Sequence, residues 1–133
     1  MNNFVVSGKR KSAVAKATIT EGNGNITINK KPLSFLTKLQ QLEINEPLII
    51  AKEVLGDLRF NISVNVRSGG SASQIEASRL AIAKAIVEFT KDENVKNAFL
   101  AYDRNLLIAD TRRKEACKPG DSKARSMRQS SKR

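Results

Sequence analysis

The residues of this chain best suited to chemistry are the cations of its last segment, residues 111–133. This segment holds nine basic residues and two acidic ones, so it carries seven of the chain's net charge of +11. The basic residues continue to the final position: Arg112, Arg113, Lys114, Lys118, Lys123, Arg125, Arg128, Lys132 and Arg133. Lysine attracts phosphate by charge, and arginine adds forked hydrogen bonds. Their spacing predicts many separate contacts to a polyanion, which is most often nucleic acid.

Residues 111–133 have too few apolar side chains to fold alone. They contain no aromatic residue, and the larger apolar side chains are limited to Cys117 and Met127. Burying so little apolar surface cannot offset the entropy lost when the chain is ordered. We therefore predict a globular body over residues 1–110 and an extended basic tail over residues 111–133. A solubilising disordered tail is the alternative, but cations that continue to the last residue favour a polyanion.

A second basic cluster, Lys9-Arg10-Lys11, interrupts the first β-rich stretch and is expected on a loop or bulge. Alone, such a run is usually a solvated turn. Because the same chain carries a strongly basic tail, we predict that these side chains contact phosphate. A nucleotide-binding loop is rejected, since it needs two glycines at fixed spacing and a following helix. Gly8 is the only glycine among the first 21 residues.

The small residues at 68–74 form a second candidate phosphate cradle. They lead into a predicted helix, whose first N–H groups and dipole favour anions. A simple strand-to-helix connection is the alternative for this loop. Arg79 follows in the same helix, where it either reaches a phosphate or lies on the surface.

The composition makes an enzyme unlikely and gives no sign of a metal or cofactor. The chain has no histidine and one cysteine, so neither a zinc ligand set nor a Cys-His or Ser-His pair can be assembled. Asp92 and Glu93 are typical of helix capping. No apolar run approaches the roughly 20 residues of a membrane span, and the first residues lack the apolar core of a secretory signal. A single cysteine fits a reducing compartment.

Hydrophobic patterning predicts the strands. Residues 4–19 are β-rich, and the Gly-Asn-Gly-Asn sequence at 22–25 favours a turn. Residues 26–29 are then expected to return as the second strand of a hairpin, which ends at residues 30–32. Residues 58–66 alternate between apolar and polar side chains, as in a half-buried strand with one polar face.

Three helices are expected from capping and periodicity. Asn45 resembles an N-cap, with Pro47 in the first turn and Gly56 just beyond the end. Further helices are predicted at about 73–90 and 93–102. The short apolar run at 106–109 is expected to be a strand or a docking segment. The order predicts an α+β fold: a mixed sheet of about four strands, with helices on one face.

Taken in order, these features resemble the small-subunit ribosomal protein nine family, in its archaeal and eukaryotic form. The stretches that carry the resemblance cover most of the chain: 7–19, 22–29, 45–48, 66–70 with Gln74 and Arg79, 101–104, 106–107, Asp110 with Arg112 and Glu115, and the closing 131–133. The resemblance implies a body like the second domain of ribosomal protein five, in the head of the small subunit. It implies no cofactor and a cytoplasmic, ribosomal location.

The resemblance also implies partners: small-subunit ribosomal RNA, peptidyl-site tRNA and neighbouring head proteins. In the family the tail threads through ribosomal RNA toward the tRNA. The matching tRNA-contacting positions are Lys132 and Arg133, with Arg128 as a third. The ribosomal RNA positions are Lys9, Arg10, Lys11, Arg79, Arg112, Arg113, Lys114, Lys118, Lys123 and Arg125.

The sequence departs from the family pattern in a few places. Ser73 stands where a glycine is usual, Ala116 and Cys117 where two lysines are common, and Asp121 where an apolar or basic residue is expected. The tail is therefore less cationic than is typical. Two other classes stay open: a free-standing nucleic-acid-binding or chaperone module, and a small enzyme of the same fold superfamily.

Overall fold

A computed structural model describes residues 4–131, which form one mixed sheet and three α-helices. The strands are β1 (Phe4–Arg10), β2 (Ala13–Glu21), β3 (Ile26–Ile28), β4 (Lys31–Pro32) and β5 (Phe60–Arg67). The helices are α1 (Lys38–Leu55), α2 (Ser71–Thr90) and α3 (Glu93–Tyr102), with short 3-10 helices at Leu33–Phe35 and Arg104–Leu106. The predicted α+β class and mixed sheet are confirmed.

The sheet has five strands in the order β1-β2-β5-β3-β4, where about four were expected. The fifth strand is β4. Lys31 and Pro32, which were expected to end the hairpin, pair antiparallel with β3. The predicted hairpin between β2 and β3 is wrong, because β5 lies between them. β5 pairs antiparallel with β2 over eight residues and parallel with β3. The partner beside β2 is the longer strand, and it buries four apolar side chains where β3 buries one.

The turn at 22–25 crosses over the start of β5. The backbone N–H of Gly24 donates to the carbonyl of Phe60 at 3.0 Å. The N–H groups of Asn23 and Asn25 both donate to the side-chain oxygen of Asn61, each at 3.0 Å. The residue types of the turn predict it correctly, but they do not identify its partner strand.

The β-rich stretch is interrupted at the basic cluster as predicted, but only one residue of the cluster lies in the loop. Lys9 and Arg10 complete β1, and only Lys11 lies in a two-residue turn, with Ser12, between β1 and β2. Lys11 has a φ of +52°, a left-handed conformation that two-residue hairpin turns require. The cluster therefore lies at the tip of a tight hairpin, which holds its side chains on a rigid element.

Helices cover one face of the sheet. Along β5 the side chains of Phe60, Ile62, Val64 and Val66 are buried, and their neighbours face outward. The alternation predicted from the sequence is confirmed. α2 packs on β1, β2 and β5, and α1 and α3 pack against α2 and each other. The other face of the sheet carries mostly polar side chains.

Small residues let α2 approach the sheet closely. On β2, three alanines at alternating positions are fully buried, and Gly8 of β1 is buried beneath α2. A Cβ added to Gly8 would lie 2.8 Å from the backbone nitrogen of Ala81. The contact is therefore between backbones and leaves no room for a side chain.

Helix α1 begins at Lys38, eight residues before the start expected from an N-cap at Asn45. Thr37 caps it in a reciprocal arrangement with Gln40, in which each side chain accepts a hydrogen bond from the other's backbone N–H. Pro47 lies inside the helix and is fully buried. Proline is commonest in the first turn of a helix, which is why the predicted start is wrong. Packing of Pro47 in the core outweighs the lost hydrogen bond here.

Substitution of Thr37 tests where α1 begins. We expect Thr37→Ala to lower the free energy of unfolding by about 1 kcal/mol, because an N-cap bond is removed. Asn45→Ala is the matched control and is expected to be neutral or slightly stabilising, since alanine is the better residue inside a helix. Urea unfolding followed by circular dichroism measures both. A larger loss of stability for Asn45→Ala than for Thr37→Ala would contradict the observed start.

The end of the body is held by one buried residue. Leu106, in the 3-10 helix after α3, is fully buried in the core. The short run at 106–109 is therefore not a strand, and the burial of Leu106 attaches this run to the core of the body. Residues 107–131 contain no helix or strand. Across the described residues, 4–131, no helix is long and apolar enough to cross a membrane.

Candidate nucleic-acid interface

Two basic segments that are about 100 residues apart in sequence meet at one groove. The tip of the β1–β2 hairpin forms one wall, and the start of the C-terminal tail forms the other. The groove has a volume of about 820 Å³. It is lined by Arg10, Lys11, Ser12, Arg112, Arg113 and Lys114. We call this surface the basic groove.

Asp110 joins the two walls of the basic groove. Its carboxylate accepts hydrogen bonds from the Arg112 side chain at 2.8 and 3.0 Å and from the Arg112 backbone N–H at 2.9 Å. Arg10 approaches the same carboxylate at 3.1 Å and also pairs with Glu76 of α2. The hydrogen bonds from Arg112 hold the pKa of Asp110 well below its usual range, and Arg10 adds to this effect. Asp110 in turn raises the pKa of Arg112.

These ion pairs divide the cations of the basic groove into two kinds. Arg10 is only about 15% exposed and is held by Glu76 and Asp110, so it fixes the hairpin to the tail. The side chains of Lys11, Arg113 and Lys114 are exposed, and no acidic residue among residues 4–131 pairs with them. Arg113 instead donates to the backbone carbonyls of Asp110 and Arg112, both at 2.9 Å. These three cations give the groove its uncompensated positive charge.

The rest of the tail is mostly exposed and partly self-paired. Arg125 contacts Glu115 at 3.0 Å, and Arg128 contacts Asp121 at 3.5 Å. Exposed pairs of this kind are worth at most about 1 kcal/mol, so a phosphate can replace the carboxylate. Lys118 and Lys123 are exposed. Lys132 and Arg133, predicted to touch tRNA, lie outside the described residues.

Arg79 lies away from this groove, among the helices. Its guanidinium pairs with Glu46 of α1 and lies 3.6 Å from the carboxylate of Asp103, which follows α3. The side chain is about 20% exposed. The observed contacts give Arg79 a role in joining three helices, and its predicted contact with RNA stays a prediction.

The loop between β5 and α2 lies against the start of β2. Ser68 and Gly69 both have positive φ, and a Cβ on Gly69 would lie 2.9 Å from the backbone nitrogen of Ala13. Gly70 is the N-cap of α2 and supplies no side-chain bond, so the first N–H groups of α2 have no side-chain cap. The helix begins at Ser71, two residues before the predicted start.

Sequence reasoning missed the residues that assemble the basic groove. It named the cations but not Glu76, and it cited Asp110 only as part of the family resemblance, not as the acid that holds Arg10 and Arg112 in position. The spacing of Asp110 and Arg112 was a local signal, since an aspartate often accepts the N–H two residues later. The pairing of Arg10 with Glu76 spans 66 residues and had no such signal.

Among residues 4–131, no group of three or more histidine, cysteine or acidic residues is placed to hold a metal ion. Cys117 is free and exposed. The exposed cations of the basic groove suit that surface to binding an anion.

Comparison with known proteins gives one consistent result. The profile of the family "Ribosomal protein S9/S16" matches residues 8–133. A small ribosomal subunit protein uS9 of Methanococcus vannielii is 48% identical over 116 residues, which cover 86% of this chain and 85% of that protein. A protein of the same name from Methanococcus maripaludis is 47% identical over an equal length, with the same coverage of both chains.

Proposed function

Because this chain belongs to the ribosomal protein S9/S16 family, we propose that it acts by neutralising ribosomal RNA charge through its basic groove and tail. It is a protein of the small ribosomal subunit, and a place in a ribonucleoprotein and in translation follows from that membership. Its role there is structural, and we assign it no catalytic residue.

The observation that best supports this proposal is the basic groove. Three exposed cations from two separate segments converge on one surface and have no acidic partner among the described residues. Each phosphate that these cations neutralise releases counterions, which favours binding. The body therefore docks at the groove, and the tail beyond it orders along ribosomal RNA.

The finer parts of the proposal concern partners. We propose that Lys9, Arg10, Lys11, Arg79 and the tail cations from Arg112 to Arg125 lie against small-subunit ribosomal RNA in the head. The tip, Lys132 and Arg133 with Arg128 before it, contacts phosphates of peptidyl-site tRNA. Neighbouring head proteins complete the site, and the cytoplasmic ribosome is the location. The likeness of the body to the second domain of ribosomal protein five stays a prediction.

Removal of Lys132 and Arg133 tests the role of the tip. We expect small subunits carrying the shortened protein to bind peptidyl-site tRNA about tenfold more weakly, since two charge-assisted hydrogen bonds to phosphate are removed. The weakening is expected to be equal for different tRNAs, because phosphate contacts do not read sequence. Filter binding of labelled tRNA to purified subunits measures the effect.

The control keeps the length of the chain and replaces Ser130 and Ser131 by alanine. Both proteins are expected to co-sediment with small subunits in a sucrose gradient. Unchanged tRNA affinity in the shortened protein would overturn the role of the tip. Absence of the full-length protein from small subunits, together with tight binding of short duplexes by the isolated chain, would instead favour a free-standing nucleic-acid-binding module.

A further inference from the structure

The face of the sheet opposite the helices is uncovered, mostly polar and free of acidic side chains. Its members come from four strands and alternate with the buried core positions. They are Val5, Ser7, Lys9, Val14, Lys16, Thr18, Thr20, Thr27, Asn61, Ser63, Asn65 and Arg67. We call this surface the open sheet face. Three of its members are cations, and all three are exposed: Lys9, Lys16 and Arg67.

The pairing register places these three cations close together. Lys9 and Arg67 are both opposite Val14, so they lie two strand spacings apart, roughly 10 Å. Lys16 is on the strand between them, two residues further along, which is roughly 7 Å. None of the three forms an ion pair with another residue of the described chain, 4–131. They therefore form a compact triangle of uncompensated charge.

Neutral hydrogen-bonding groups surround the triangle. Asn65 is opposite Lys16, and Ser7 is opposite Lys16 on the other side. A cleft of about 330 Å³ is lined by Lys16, Asn65 and Arg67 together with Asn29. Hydroxyl and amide groups donate to phosphate and ribose oxygens, and such contacts position a nucleic acid without reading its sequence.

From this arrangement we propose that the open sheet face is a second RNA-binding surface, which binds the sugar–phosphate backbone of an RNA helix through Lys16 and Arg67 together with Lys9. This inference rests on the proposed function and extends it to a face separate from the basic groove. The face carries no aromatic side chain. Surfaces that bind single strands stack bases on aromatic residues, so this one is suited to the backbone of a duplex.

A double substitution, Lys16→Gln with Arg67→Gln, tests the proposal in the full-length protein. Both side chains are exposed and unpaired, so the midpoint of thermal unfolding is expected to be unchanged. The probes are protein-free small-subunit ribosomal RNA, a 16-base-pair RNA duplex and single-stranded poly(U). We expect binding to ribosomal RNA and to the RNA duplex to weaken about tenfold. The slope of log K against log salt should fall by roughly 2, because each phosphate that a side chain neutralises adds about 0.9 to it. Binding to poly(U) is expected to change less than twofold.

The matched control removes the same charge from the helical side, by Lys52→Gln with Lys96→Gln. Both lysines are exposed. Equal affinity of the two double variants for ribosomal RNA and the duplex would overturn the proposal and leave the face free for a protein partner. Weakening confined to poly(U) would also overturn it. Failure of the unsubstituted protein to bind ribosomal RNA would instead contradict the proposed function itself.

Discussion

Gly8→Ala is expected to be the most destabilising single-methyl substitution on the sheet. We expect the free energy of unfolding to fall by about 3 kcal/mol, the upper end of the range for overpacked cores. For a domain of this size that corresponds to a fall in the melting temperature of roughly 10 °C. The cause is the approach of α2, whose backbone at Ala77 and Ala81 occupies the space that the new Cβ needs. A backbone cannot rotate away as a long side chain does.

Gly70→Ala is the matched control for this effect. Gly70 has a φ of −88°, which any residue adopts, and nothing lies within 4 Å of the position of a new Cβ. We expect its melting temperature to stay within about 2–3 °C of the unsubstituted protein, because loss of the glycine preferred at an N-cap is offset by the lower entropy of the unfolded chain with alanine. Calorimetry of both variants gives the comparison. Equal melting temperatures would show that β1 and α2 do not pack as described.

The largest effect on binding is expected from the three unpaired cations of the basic groove. Replacing Lys11, Arg113 and Lys114 together by glutamine should weaken binding to protein-free small-subunit ribosomal RNA on the order of 100-fold, at about 1 kcal/mol for each hydrogen bond to phosphate that is removed. The salt slope should fall by roughly 2–3. Because none of the three supports the fold through an acidic partner, the melting temperature should not change. Fluorescence anisotropy at several salt concentrations measures both the affinity and the slope.

Three exposed lysines on the helices provide the comparison: Lys38, Lys52 and Lys96, each replaced by glutamine. This variant has the same net charge as the groove variant, so it controls for the general attraction between a basic protein and RNA. We expect it to bind less than fivefold more weakly than the unsubstituted chain. Should both triple variants bind with the same reduced affinity, net charge rather than the groove would account for binding.

The strands and the later helices could be predicted where the signal is local. The alternation along β5 indicates both its type and its buried face, and the caps near Asp92 indicate the start of α3 within one residue. The cations of the basic groove were also found from sequence, because a basic run next to a turn needs no tertiary information. Of the acids that position them, Glu76 pairs with Arg10 across 66 residues and had no local signal, whereas Asp110 lies two residues before Arg112.

The errors came from positions where tertiary packing outweighs a local preference. Pro47 has the chemistry of a first-turn residue, but burial in the core places it in the middle of α1. The turn at 22–25 was correct, yet strand order depends on which strand buries the most apolar surface, and no residue of the turn specifies that. The sequence indicated that one face of β5 is polar. Which residues of β1 and β2 lie beside it on the open sheet face follows only from the pairing register.

The position of β5 has a consequence for how the chain acquires its structure during synthesis. The strand that lies between β2 and β3 is the last of the five to leave the ribosome. Until residue 67 has emerged, β2 and β3 have no strand between them to pair with. Helix α2 covers the buried face of the sheet, and it emerges still later. The nascent N-terminal half therefore stays without a closed core, and folding waits for non-local pairing, which is slow. A nascent chain that stalls in α1 would expose the alanine-rich face of β2 to proteases.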